Sequence, residues 1–135
     1  MNNYLVRGAL VATLALVVSA CMTMTESERK QRHGVPSTEV VGSAIQGQQL
    51  YAGNCAFCHG KQMQGSRMGP PLKHKMYAPD QLSDEAIYRA IKLGAKQRHW
   101  RFGAMPSRSY IRPEKAAHVV AYIRQAQQHS GIYQP

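Results

Sequence analysis

Cys55 and Cys58 stand three residues apart in CAFCHG, and His59 follows at once. The chain has 3 cysteines in all, so two of them meet here. On a helical turn that offset brings both sulfurs onto one face. The next residue turns its imidazole to the same side. Two thiols can then bond the edge of one porphyrin while the imidazole meets its iron, which is how C-x-x-C-H reads as a c-type haem attachment. Two other roles compete. A structural zinc takes four Cys or His ligands; His59 is poorly spaced to be the third, and no second cysteine pair exists. A C-x-x-C redox disulfide sits beside a strand–helix–strand pattern, and no convincing strand can be read. One covalently attached haem c is therefore expected. Such a staple suits a chain of 135 residues, room for one domain with a modest core.

The iron wants a second axial ligand or an open site. Downstream stand Met63, Met68, Met76 and Met105, and His74, His99, His118 and His129. Spacing alone does not choose. Met105 lies in FGAMP, Phe102–Pro106, an irregular segment between two helical patterns, and a loop can carry a thioether to the iron. Met63 and Met68 lie in a Gly-rich polar loop and read as surface or packing residues. His118 falls within a helical pattern and reads as a solvated face.

The N-terminus sets the compartment. Arg7 precedes the apolar run 8–18, and the small residues Ser19 and Ala20 precede Cys21. That is an export signal, and the run is short for a membrane span. Val18-Ser19-Ala20-Cys21 resembles the lipobox of bacterial lipoproteins, with valine where leucine is usual. The resemblance implies that residues 1–20 are removed and that Cys21 is lipidated. Met22 in place of aspartate gives no inner-membrane retention signal, so the outer membrane is slightly favoured. An exported setting is oxidising, which agrees with the cysteine usage. Residues 21–43 are expected as a lipidated N-terminus and a flexible tether, reaching roughly 25 Å as a coil, unless Val40 and Val41 pack on the domain.

Three main helices are expected. Gly47, Leu50, Tyr51 and Asn54 form one helical stripe. A glycine there weakens a helix, so a close crossing would explain it. Ser83 caps a second helix, with Asp84 and Glu85 in its first turn and Gly94 at its end. Pro113 opens a third, with Ala116, Val119, Val120 and Ile123 as its buried stripe and Gly131 beyond its end. Between these lie long Gly- and Pro-rich loops. Loops of that length are uncommon in a compact domain and make sense wrapped round a flat cofactor.

From about Ala44 to Gln128 the chain resembles a small bacterial class I cytochrome c. The motifs stand in order. GQQLY, Gly47–Tyr51, resembles the N-terminal helix, and CAFCH the haem motif. GPPL, Gly69–Leu72, resembles a loop in which a proline carbonyl, here Pro70, accepts a hydrogen bond from the proximal imidazole, here His59. Met105-Pro106 resembles the axial methionine and its following proline. Trp100 resembles a tryptophan that donates to a haem propionate, and Val119–Ile123 a C-terminal helix that crosses the first. The resemblance implies an all-α class I cytochrome c fold over residues 44–130, with a short tail at 131–135. It implies His59 and Met105 on the iron, and Cys55, Cys58, Pro70 and Trp100 as further haem contacts.

Such a haem has no open coordination position, and a methionine ligand raises its potential. The expected function is single-electron transfer on the periplasmic side of a bacterial membrane, with no catalytic residues. Alternatives are an open iron, as in a gas sensor or peroxidase with His99 nearby, and a dedicated subunit of a larger oxidoreductase. The net charge is +10, and +9 once residues 1–20 are lost. Redox partners with acidic surfaces fit that charge, and so does anionic lipid; nucleic acid does not fit the compartment.

Overall fold

The computed structural model describes residues 24–37 and 40–134. The expected signal segment and Cys21 lie outside these residues. The described chain holds α1 (Glu26–His33), α2 (Ala44–Asn54), α3 (Ala56–His59), a 3-10 turn at Lys75–Tyr77, α4 (Asp84–Leu93) and α5 (Pro113–His129). Among the described residues there is no strand, only one bridge between Ala95 and Met105. No described helix is long and apolar enough to cross a membrane.

The crossing of α2 on α5 organises the domain. Gly47 is buried there because a Cβ at this position would stand 1.9 Å from the His118 carbonyl oxygen. One turn later Tyr51 meets Tyr122 edge-on, with ring centroids 5.6 Å apart. Tyr51, Met63, Ile87, Ile111, Val119 and Ile123 belong to one buried cluster. Each such side chain contributes about 1.5–3 kcal/mol by leaving water.

The caps foreseen for the later helices are present. Ser83 accepts from the Ala86 amide, and Gly94 ends α4 at φ 79°. Pro113 occupies the first turn of α5. Two polar residues of α5 do what its apolar stripe cannot. Gln127 is fully buried and donates to the carbonyls of Leu72 and Tyr77 at 2.9 and 3.0 Å. Arg124 donates to Asp84 and to the Tyr77 carbonyl, each at 2.7 Å. Together they fasten the long loop after α3 to the rest of the fold. Buried carbonyls are thereby satisfied where no secondary structure reaches them.

Three segments differ from expectation. Part of the segment read as a coil is helical: α1 carries a complete capping box between Thr25 and Glu28 and ends on Gly34 at φ 74°. It has no buried residue and no apolar stripe, so hydrophobic period gives no sign of it. Val41 is 88% exposed, so the valine pair does not pack as one unit. His118 is half-buried, not a plain solvated face: its Nδ1 accepts from the Ser43 amide at 2.9 Å.

Candidate haem site

The site begins where α2 ends. The amides of Cys58 and His59 both bond the Cys55 carbonyl, at 3.1 and 2.9 Å, so CAFCH closes into one turn. Gly60 at φ 82° then turns the chain away. Three neighbours hold this turn. The buried Tyr51 hydroxyl donates to the Gly60 carbonyl at 2.8 Å. Ser66 Oγ donates to the Cys58 carbonyl at 2.6 Å. Gly69 packs so close that a Cβ would sit 3.0 Å from that same oxygen. Of these, Tyr51 stood out in the sequence for its place on α2; Ser66 gave no signal, because its partner is set by the path of the loop.

His59 is buried, and its Nδ1 lies 2.9 Å from the Pro70 carbonyl oxygen. A carbonyl only accepts, so the proton sits on Nδ1 and Nε2 keeps its lone pair. Burial pushes the His59 pKa down, against the pull of the Pro70 bond, and the Arg108 charge lowers it further. The ring is therefore held neutral and oriented, as a metal-binding imidazole needs to be. Cys55 and Cys58 are not bonded to each other. Burial pushes the Cys55 thiol up to about 11, partly offset by Arg108. Thioether formation at this sulfur would remove the ionisable group altogether. Among the described residues no group of three or more His, Cys, Asp or Glu side chains is placed to hold a metal ion, so a zinc site finds no further ligands there.

The loop that carries Met105 is fastened to the end of α4. Met105 exchanges both backbone hydrogen bonds with Ala95, at 2.8 and 3.0 Å. Gly94 makes room for this: a Cβ there would stand 2.5 Å from the Met105 carbonyl oxygen. Ser107 Oγ donates to the Lys92 carbonyl at 2.6 Å, and the Arg108 amide to the Ile91 carbonyl at 2.7 Å. A loop that read as irregular is thus pinned at four points. Met63, by contrast, is 1% exposed and belongs to the core, at φ 60°. For a residue with a Cβ that conformation carries strain, and burial of the thioether offsets it.

Trp100 Nε1 is buried and has no hydrogen-bond partner. Tyr77 lies near, but the contact does not reach hydrogen-bond geometry. The indole packs edge-on against His74, with centroids 5.4 Å apart, and tilted on Phe102 at 6.3 Å. An orphaned buried N–H is costly. It fits a chain shaped around an acceptor that the polypeptide does not supply, and a haem carboxylate is such an acceptor. In the sequence His74 reads only as a candidate iron ligand; its contact with Trp100 is tertiary and has no sequence sign.

A family model described as Cytochrome c matches residues 44–127. The chain belongs to the cytochrome c family. No curated protein and no solved structure matches it. Membership implies one haem c, and the cytochrome c motif Cys55, Cys58 and His59 is the place of its covalent attachment. The all-α arrangement of the described residues is consistent with the class I cytochrome c fold. The family match begins at the start of α2 and leaves α1 outside it.

Proposed function

We propose that this cytochrome c is a bacterial, membrane-tethered carrier of single electrons, with His59 and Met105 as its axial ligands. The observation that carries the reading is the His59–Pro70 hydrogen bond, which leaves Nε2 free on a neutral ring. The pinned Met105 loop supports the second ligand, and the buried Met63 is the methionine least free to serve. A haem held by one imidazole and one thioether exchanges single electrons and offers no vacant position, and the methionine raises its potential. The Pro70 carbonyl orients the imidazole, and Trp100 would donate to a propionate. One-electron exchange at such a haem needs no general acid or base from the polypeptide, which fits a carrier.

The surface near the cysteines suits a partner. Phe57, between Cys55 and Cys58, is 81% exposed, and Met68 and Tyr110 are exposed as well. Residues 40–79 and 86–113 contain no acidic residue, while Lys61, Arg67, Lys75, Arg101 and Arg112 are exposed within them. Exposed apolar residues in segments that carry cations and no acid favour a redox protein whose docking face bears carboxylates. The sequence of residues 18–21 supports lipidation at Cys21 and a periplasmic location on the membrane.

Visible spectra of the purified holoprotein, with and without carbon monoxide, test the ligation. A low-spin ferrous form that ignores carbon monoxide is expected. A high-spin form, or ready carbon monoxide binding, would overturn the carrier in favour of a sensor or peroxidase. Separately, Cys21→Ala is expected to release the protein from membranes; retention would sink the lipid anchor.

A further inference from the structure

Side-chain polar contacts hold α1 to α4, and the stem of Lys92 packs against the end of the helix. Arg29 and His33 converge on one carboxylate, Glu85 of α4, with His33 Nδ1 at 2.5 Å and Arg29 paired beside it. Lys92 Nζ, two turns along α4, donates to the Gln31 carbonyl at 2.5 Å. Its stem lies across Gly34, where a Cβ would meet Lys92 Cδ at 2.8 Å. No side chain of α1 is buried. The helix also closes on itself. Thr25 and Glu28 satisfy its first turn, and the Gly34 and Val35 amides bond the carbonyls of Gln31 and Lys30. A helix of 8 residues is marginal in water by itself, so α1 leans on the Glu85 contacts and on Lys92. Contacts of this kind weaken as salt screens them.

We propose that α1 is a releasable strap, docked on the Glu85–Lys92 face of α4, whose docking and release set how far the haem domain stands from the point that holds its N-terminus. Docked, only residues 22–25 separate Cys21 from the helix, about 17 Å at full extension. Released, residues 22–43 act as one linker with a mean reach of roughly 25 Å. A docked strap keeps the domain beside a neighbour in the membrane, and a released one lets it swing to a second partner. The change of reach rests on the lipid-anchor reading; the docking does not.

Amide hydrogen exchange on the Cys21→Ala holoprotein tests the docking without the lipid. In 20 mM salt the amides of residues 30–35 should be protected in the parent. Glu85→Gln should speed their exchange at least tenfold, with the α5 amides and the visible spectrum unchanged. High salt should do the same to the parent and add little to the variant. If α1 keeps its protection in Glu85→Gln and at high salt, it is a fixed part of the domain and the proposal fails. The reach is read with the lipidated protein on vesicles carrying a fluorescent lipid that the haem quenches. Glu85→Gln should reduce quenching, and unchanged quenching would overturn the strap. Should the Cys21→Ala protein still bind vesicles, the anchor reading fails while the exchange experiment still decides the docking.

Discussion

Met105 and Ala95 exchange both of their backbone hydrogen bonds, at 2.8 and 3.0 Å, though the loop of residues 96–104 separates them. The pairing fixes the methionine backbone to the end of α4, so removal of the side chain should leave the loop in place. Met105→Ala is expected to open the iron without unfolding the domain. The midpoint potential should fall by on the order of 0.1 V, and ferrous haem should bind carbon monoxide. An unchanged spectrum in this variant would remove Met105 from the site.

Trp100 gives a contrast between holo- and apoprotein. Trp100→Phe deletes an N–H that has no partner within the polypeptide. The apoprotein loses packing only. The holoprotein should lose in addition a hydrogen bond to a charged group, about 1.5–3 kcal/mol. Thermal melts of both forms decide it: equal losses would mean that Trp100 does not reach a propionate.

Gly47 lies directly against the backbone of α5. A Gly47→Val side chain would run into the His118 carbonyl, and backbone on both sides cannot give. The cost should be roughly 3 kcal/mol, at the upper end for overpacking, measured by urea denaturation. A loss under about 1 kcal/mol would mean that the crossing adjusts freely.

Glu85 makes the strap sensitive to acid. Arg29 first, then His33, hold its carboxyl below the usual range. On α4 the neighbouring Asp84 is engaged by Arg124 of α5, and Arg89 lies one turn along. Because docking lowers the Glu85 pKa, its contribution is complete above the ordinary carboxylate range and is lost as pH falls through the lowered value. Exchange of the α1 amides should therefore accelerate below about pH 4 relative to that of α5, once the intrinsic rate is allowed for. Parallel behaviour of the two helices would contradict a role for Glu85.

Sequence determined what lies within a few residues. CAFCHG set the cofactor chemistry, because two thiols and one imidazole share one helical turn. Ser83 and Gly94, with their caps, and Pro113 set the later helices, because a cap acts on amides at most one turn away. The α2 stripe and its glycine announced a crossing. Tertiary structure decided everything that spans a longer stretch of chain. It decided that Pro70 meets His59, which the family resemblance implied and spacing did not, and that Met63 is core while the Met105 loop is pinned to α4. It turned His118 towards Ser43 and left the Trp100 N–H without a protein acceptor. α1 shows the division most plainly. Its capping box and Gly34 are local and were present in the sequence. Its docking depends on Glu85 and Lys92, more than 50 residues away, and only the path of the folded chain brings those charges together.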